Sequence, residues 1–532
     1  MTTSLGRLVR PGAREQHPGR ADATPSAPAT PSARTTPSAP ATPSARPASA
    51  TRRVAADGAA AAVMITAAPL CLLQAPNAIA WALSSAGALA AGPQASTTLL
   101  RAAGLALPAM AAVAGLAALA VLRVRAWPVL LTGLLMMAVA DTLGTSAHTT
   151  TAIAVVRMLH GIAAGLALPA ALALAWDRGP GPRRWLAALW SAATVAALAA
   201  APAVARDRLT SGGWHAALAP YPWLTGAALT VAALYAVLAD GPGRRARDTL
   251  HPGRDARRQD ATQERAQLAV LAVPGIGLAA LAVAITYRPP AALLATGAVA
   301  VLMLYGVAAV ASADRLVGGG LCFPFLGAVT GLVVAPVAGA VTSLRALSPD
   351  SAGHSWLPLS VTAVAALAGV AVARALPHRP RAVVMAGLLI AVEGLAAARL
   401  AGPYVPAVVL AGVSAPLAAG LAAALTAALA ETGVAGALSG VSLLLAGLMT
   451  GYLASGAVQV RMVTQAVTQL AASPAARQAA PAAQQTAQQT AQRLALAGAV
   501  GVWELAGLFS VLIAIGVTFL IGRARRTRAP VQ

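Results

Sequence analysis

The stretch TTAIAVVRMLHGIAAGLALPAALALA, residues 150–175, decides the fold because it is long enough and apolar enough to cross a bilayer. About 20 apolar residues span the hydrocarbon core, and this run contains one full charge, Arg157. An arginine at the centre of a spanning helix costs roughly 2.5–3.5 kcal/mol, so it is expected to face a partner or a cavity. The stretch therefore predicts a membrane-spanning helix with a polar centre.

A partner for Arg157 is available on the preceding apolar segment, residues 127–147, which carries Asp141 near its end. The short turn Ser146–Thr150 makes the two helices antiparallel, and a rise of about 1.5 Å per residue places both charges at comparable depth. We therefore predict an intramembrane ion pair between Asp141 and Arg157. The alternative is that Arg157 snorkels to the interface while a loop solvates Asp141.

The composition is that of a membrane protein with many spans. Of the 532 residues, 58% are hydrophobic and 10% are charged, whereas about 25% charged residues are usual in soluble domains. The net charge of +22 is concentrated in loops and tails, where the positive-inside rule explains it without a nucleic-acid partner.

Lysine is absent from the sequence, and every Lys-dependent chemistry is excluded with it. A Walker-type phosphate loop needs its lysine, and so does a Schiff base with a cofactor. No HExxH sequence, paired-cysteine motif or nucleophile elbow occurs either, so we expect no enzyme activity, no bound metal and no cofactor. Any transport should then be secondary, or depend on a separate ATPase.

The rest of the chain divides by apolar length into fourteen candidate spans. They begin near residues 58, 98, 127, 150, 185, 220, 268, 291, 319, 356, 382, 405, 433 and 495. Arginines are enriched in the connections after even-numbered spans and in the C-terminal tail, which predicts that both termini are cytoplasmic. The predicted location is a bacterial plasma membrane, with the lipid bilayer as the surrounding partner.

Four polar segments interrupt or flank the spans. Residues 1–56 repeat a Pro/Ser/Ala/Arg-rich unit that cannot bury a core, which predicts a disordered cytoplasmic tail. Residues 241–266 predict a basic cytoplasmic loop, and residues 522–532 a basic cytoplasmic tail. Residues 458–494 are too polar to span and are interpreted as an external loop, partly helical, before the last span; the alternative is a solvated linker.

Three short motifs resemble those of the major facilitator superfamily, in particular its fourteen-helix drug:proton antiporters. Arg157, Gly161 and Gly165 are similar to the Arg-x-x-x-Gly-x-x-x-Gly motif of the fourth helix, and Pro202 matches the proline that closes the fifth. Gly212-Gly213-Trp214-His215, followed by Ala219-Pro220-Tyr221-Pro222, is similar in spacing to the block that opens the sixth helix. The resemblance covers residues 58–521 in outline and reaches motif level only within residues 97–240.

The resemblance implies an all-α polytopic fold of two six-helix bundles plus two extra helices. Residues 57–240 would form the first bundle, residues 267–318 the two extra helices and residues 319–521 the second bundle. It also implies a monomer that exports small amphipathic or lipophilic compounds in exchange for protons. The glycines and the aspartate of the second-helix loop are missing from residues 120–127, so the alternative is a transport-incompetent scaffold or regulatory partner on the same fold.

Ten residues are candidates for function. Proton coupling calls for carboxyl groups within spans, and Arg157 is their candidate partner. The coupling candidates are Asp141, Arg157, Glu393 and Glu504; the polar groups expected in the cavity are Gln74, Asn77 and His160; and the packing or switching candidates are Gly161, Gly165 and Pro202. For Glu393 the alternative is a protonated acid hydrogen-bonded between helices, and for His160 a helix-packing role.

Overall fold

The computed structural model describes residues 46–76, 101–219, 221–239, 275–281, 290–313, 321–346, 356–402, 406–474 and 480–527. Within these ranges the regular structure is helical and no strand occurs. The helices are α1 (Arg46–Leu73), α2 (Ala106–Arg123), α3 (Ala126–Gly144), α4 (Thr150–Asp177), α5 (Pro180–Leu218), α6 (Pro222–Ala239), α7 (Pro290–Ala313), α8 (Phe323–Ala346), α9 (Trp356–Ala375), α10 (Pro380–Ala401), α11 (Ala407–Ala430), α12 (Val434–Ala472) and α13 (Pro481–Thr527). The prediction of an all-α chain is confirmed.

Among the described residues, 13 helices are long and apolar enough to cross a membrane. They coincide with thirteen of the fourteen predicted spans, and the remaining one, near residue 268, lies mostly outside the described residues. The predicted tail up to residue 45 and the basic loop at 241–266 lie outside them as well. The chain is therefore a multi-pass membrane protein, in which outer helices such as α3 keep Leu135 and Val139 exposed.

Two sets of helices share one pattern of neighbours. In the first set α4 packs against α2 and α3, and α3 packs against α6. In the second set α11 packs against α9 and α10, and α10 packs against α13. Between the sets, α2 contacts α12 and α5 contacts α9. If α1–α6 are matched in order with α8–α13, α2 corresponds to α9 and α5 corresponds to α12, so these two contacts are equivalent. The same local packing is therefore used twice along the chain.

Glycines allow the closest of these helix contacts. A side chain at Gly161 or Gly165 of α4 would meet the backbone carbonyl groups of Ala106 or Met110 of α2. Gly327 and Gly331 of α8 lie in the same way against α12, and Gly447 and Gly451 of α12 lie against α8. Without water to drive association, such close approach gives the helices their van der Waals contact.

We expect Gly161→Ala to destabilise the protein, because its methyl group would meet the Ala106 carbonyl, which cannot rotate away. Overpacking of this kind costs about 1–3 kcal/mol. The matched control is Gly226→Ala on α6, where nothing lies within 4 Å of the added carbon; alanine should there be neutral or stabilise by up to about 1 kcal/mol. The measurement is the midpoint of thermal unfolding in detergent, and equal midpoints for the two variants would contradict the close packing.

Two predicted polar segments are helical where the structure describes them. Helix α1 begins at Arg46, inside the predicted tail, and Arg52 donates hydrogen bonds to the carbonyl groups of Val237 and Leu238 at the end of α6. Helix α12 continues to Ala472 and α13 begins at Pro481, so most of the predicted external linker at 458–494 is helix. The reason is that alanine, glutamine and arginine are good helix formers whether or not lipid surrounds them.

Candidate functional site

Helix α4 brings most of the candidate residues together. Its first turn is capped by Thr149, whose hydroxyl accepts a hydrogen bond from the Ala152 amide, and the helix then continues without a break to Asp177. Arg157 and His160 are three positions apart along the helix and therefore lie on one face, a turn apart. Both residues are buried: 5% of the surface of Arg157 and 0% of that of His160 is exposed. The helix therefore holds an arginine and a histidine inside the first set of helices.

The first polar contact joins α3, α4 and α6. The Asp141 carboxylate lies with Oδ1 2.9 Å from His160 Nε2, and its Oδ2 accepts a hydrogen bond of 2.6 Å from the Thr225 hydroxyl. All three side chains are buried. A buried carboxylate is stable only when its oxygens are satisfied, and here one partner serves each oxygen. We call these three residues the Asp–His–Thr cluster.

Arg157 makes a separate set of contacts. Its Nε donates to the Ala103 carbonyl at 3.0 Å, and its Nη2 donates to the carbonyl groups of Gln74 and Pro76 at 2.9 and 3.1 Å. Helix α1 ends at Leu73, so the carbonyl groups that follow it lack intrahelical partners. The arginine therefore fastens α4 to the end of α1 and to the start of the α2 region.

The predicted Asp141–Arg157 ion pair is wrong in its partners. Asp141 and Arg157 still lie at similar levels, since His160, which contacts Asp141, is one turn from Arg157 on α4. The carboxylate is instead satisfied by His160 and Thr225, and the guanidinium is satisfied by unpaired backbone carbonyl groups. The carbonyl groups at the end of α1 need hydrogen-bond donors. The guanidinium has five N–H donors and can satisfy several of them, whereas the Asp141 carboxylate has no donor and needs donors itself.

Chemically, the Asp–His–Thr cluster can hold one proton between a carboxyl group and an imidazole ring. Aspartate and histidine are the two members that can gain or lose a proton, and the threonine hydroxyl fixes the carboxylate from the other side. Near Arg157, both polar atoms of the Gln74 side chain are buried without a hydrogen-bond partner. This agrees with the interpretation of Gln74 as a polar group available to a ligand; Asn77 lies outside the described residues.

The two glutamates lie elsewhere, on helices of the second set. Glu393 is on the exposed face of α10, together with Leu389 and Ile390, so this carboxyl group does not face a buried cavity between the described helices. Glu504 of α13 is buried, and the Arg399 guanidinium of α10 interacts with it electrostatically. No hydrogen bond or ion pair in the described part of the chain connects either glutamate with the Asp–His–Thr cluster.

Pro202 is buried inside α5, which runs on to Leu218 without ending at the proline. It lies beside Gly339 of α8, at a contact between the two sets of helices. The block Gly212–His215 is the last part of α5 rather than the start of the next helix, which begins at Pro222. Pro202 thus occupies a position that any movement of one set against the other would affect.

Thr225 is the functional candidate that sequence reasoning missed. It lies one turn into α6, and a threonine so placed has no sequence signal that distinguishes it from one that bonds only to its own helix. Its hydroxyl also lies 3.2 Å from the Tyr221 carbonyl, the usual arrangement for a helical threonine. Depth alone would place the start of α6 beside the end of α3, but it does not give the rotation that turns this hydroxyl toward Asp141.

We expect Thr225→Val to destabilise the protein by about 1–3 kcal/mol, the usual cost of leaving a buried acceptor without its donor. Valine keeps the shape of threonine and removes only the hydroxyl group that binds Asp141. The control is Thr230→Val on the same helix, since that exposed hydroxyl binds only the Gly226 carbonyl of its own helix. Thermal unfolding in detergent compares the two, and a loss no greater for Thr225→Val would mean that Asp141 does not depend on this hydroxyl.

Comparison with known proteins gives structural similarity only. No family model matches the sequence, and no curated protein is similar to it. Among the solved structures that align with it are the proton:xylose symporter XylE bound to 6-bromo-6-deoxy-D-glucose (12% identity, 87% of this chain, 95% of that one, TM-score 0.48), a double tryptophan mutant of XylE (12%, 89%, 99%, 0.49) and the E. coli xylose transporter XylE in a partially occluded inward-open conformation (14%, 76%, 96%, 0.40). At these scores the likeness carries no inference about helix arrangement or substrate.

Proposed function

We propose that this protein is a secondary active transporter that exports small amphipathic or lipophilic compounds in exchange for protons. The observation that supports the proposal is the buried Asp–His–Thr cluster, one turn from a buried arginine on a helix inside the membrane. Buried ionisable groups are costly there and are kept for proton or substrate pathways. Helix α4 also contacts α12 of the second set, so a change in the charge of its side chains can alter the packing between the two sets.

We further propose the division into two six-helix bundles, residues 57–240 and 319–521, with two extra helices within 267–318. The repeated neighbour pattern of α1–α6 and α8–α13 supports this division, because internal repeats of transporters meet around the substrate path. The arginine distribution supports cytoplasmic termini in a bacterial plasma membrane. We propose that the transporter acts as a monomer.

The experiment is dye accumulation in everted membrane vesicles that contain the protein, with a proton gradient present or collapsed by an ionophore. We expect accumulation that requires the gradient and is absent from vesicles lacking the protein. A well-folded protein that moves no dye of a panel covering cationic, neutral and anionic compounds would favour the scaffold role instead. The missing glycines of the second-helix loop are the observation that keeps this second role open.

A further inference from the structure

The guanidinium group of Arg157 is only partly used by the contacts that hold α4 in place. A guanidinium has five N–H donors, and the three hydrogen bonds of Arg157 all come from Nε and Nη2. Nη1, which carries two of the five donors, has no acceptor among the described residues. A buried donor is costly unless it is satisfied. Nη1 is therefore available to a group that the described part of the chain does not supply.

The charge of Arg157 also lacks a counterion in direct contact. Its three acceptors are backbone carbonyl groups, which carry no net charge. The Asp141 carboxylate divides its two oxygens between the other members of the Asp–His–Thr cluster, and no carboxylate of the described residues forms an ion pair with Arg157. Buried charges in proteins are normally paired. A ligand that carries a negative charge would complete this arrangement.

A second unpaired polar group belongs to Gln74, which touches the same guanidinium. The Gln74 carbonyl oxygen lies 2.9 Å from Arg157 Nη2, so the two residues are in direct contact. Only 1% of the surface of Gln74 is exposed, and the nitrogen and oxygen of its side-chain amide are both buried without a hydrogen-bond partner. A buried amide left in this state is costly unless a ligand supplies its partners. Two neighbouring residues thus offer unused N–H donors.

The contact between Arg157 and Gln74 lies below the membrane surface. Arg157 is seven residues from the start of α4 at Thr150, about 10 Å along the helix axis from the face predicted to be external. Gln74 directly follows the last residue of α1, Leu73, and is held at the same level by its hydrogen bond to Arg157. A molecule that enters the bundle can reach this level, whereas a lipid phosphate at the surface would have to leave the head-group region.

We propose that Arg157 and Gln74 bind the carboxylate group of an amphipathic acid. One carboxylate oxygen accepts a hydrogen bond from Arg157 Nη1 and the other from the amide nitrogen of Gln74, and the negative charge balances that of the guanidinium. For the proposed transporter, this names amphipathic acids as the substrate class. The binding site rests on the proposed function only for the export of the bound acid.

The test measures binding by the purified full-length protein in nanodiscs of phosphatidylcholine at neutral pH, with no gradient present. The probes are benzoate and benzamide, which share size and shape and differ in charge, and the readout is the thermal unfolding midpoint against probe concentration. We expect benzoate to stabilise the protein at a concentration about tenfold or more below that for benzamide, the size of a charge-assisted hydrogen bond. Equal effects of the two probes would overturn the proposal.

Gln74→Glu then tests whether the amide and the guanidinium serve one ligand. The substitution introduces a carboxylate from within the chain, so it should abolish the response to benzoate and raise the midpoint measured without a ligand. A midpoint below that of wild type would show that the side chain does not face the guanidinium, and it would overturn the proposal. Gln465→Glu, the same change at an exposed position of α12, should alter neither quantity; a loss of the benzoate response there as well would reduce the effect to net charge.

Gln74→Leu tests the amide without adding a charge. It removes both unpaired polar atoms and keeps an apolar side chain of similar size. We expect the benzoate response to weaken about three- to tenfold, the size of one hydrogen bond, and the midpoint without a ligand to stay the same or rise. An unchanged response to benzoate would remove Gln74 from the binding site.

A last arm distinguishes a free acid from a lipid head group. In nanodiscs that contain phosphatidylglycerol, the response to benzoate should persist, and its loss would overturn the proposal in favour of an anionic lipid. Because binding needs no gradient, the carboxylate site and the transport function fail separately. Benzoate binding without any dye export would remove the transport function alone, and dye export without selective benzoate binding would remove the carboxylate site alone.

Discussion

Arg157→Met should be among the most damaging single substitutions in this chain. Methionine fills much of the same volume but donates no hydrogen bond, so the carbonyl groups of Gln74, Pro76 and Ala103 would lose the partner that they share. Leaving a buried acceptor unpaired costs about 1–3 kcal/mol, so the combined loss should reach about 3 kcal/mol or more. We expect little folded protein in the membrane, measured as the monodisperse fraction after detergent extraction.

Two further arginine variants separate hydrogen bonding from charge. Arg157→Lys keeps the charge but has one nitrogen in place of the two donor atoms that reach three carbonyl groups, so it should recover only part of the loss. Arg123→Met removes a charge from the exposed end of α2 and should leave the yield near wild type. A yield of Arg157→Met equal to that of Arg123→Met would show that the hydrogen bonds of the buried guanidinium are not needed to hold α4 against the end of α1.

How far the sequence predicted this site depends on which geometric quantity is considered. Depth in the membrane follows from counting residues, because the rise per residue is fixed, and so Asp141 and Arg157 were placed correctly at similar levels. Rotation about the helix axis and the ends of neighbouring helices are set by tertiary packing. The break after Leu73, which frees the carbonyl groups that Arg157 binds, is marked in the sequence by Pro76, but the sequence does not indicate that Arg157 reaches these carbonyl groups.

The same distinction explains the other differences from prediction. The spans themselves were predicted well, since apolar length is a direct physical requirement of the bilayer. The extension of α1 into the predicted tail was not, and the segment 458–494, for which partial helix was predicted, is mostly helix in α12 and α13. Glu393 is a coupling candidate because of its depth within a span, and its exposed position on α10 follows from which face packs against α11 and α13.

Asp141→Asn should separate proton coupling from folding. Asparagine keeps an oxygen that can accept from His160 and has the size of aspartate, so we expect thermal stability near that of wild type. An amide cannot take up or release a proton, and we therefore expect gradient-driven dye accumulation to fall about a hundredfold or more, the lower end of the range found for losing a positioned proton-transfer group. Exchange of labelled for unlabelled dye across the membrane, which requires no net proton movement, should persist.

A stability cycle with leucine variants tests whether Asp141 and His160 depend on each other. Asp141→Leu alone leaves His160 and Thr225 without their acceptor, and His160→Leu alone leaves one carboxylate oxygen unpaired. The double variant removes this mutual dependence, so its loss should be smaller than the sum of the single losses by about 0.5–3 kcal/mol, the range for residues in contact. Glu431→Gln, at an exposed acid, is the control for charge removal in the transport assay. Additive losses would mean that the two side chains do not interact in the membrane.

Full gradient-driven transport by Asp141→Asn would instead show that the Asp–His–Thr cluster holds α3, α4 and α6 together without carrying the proton.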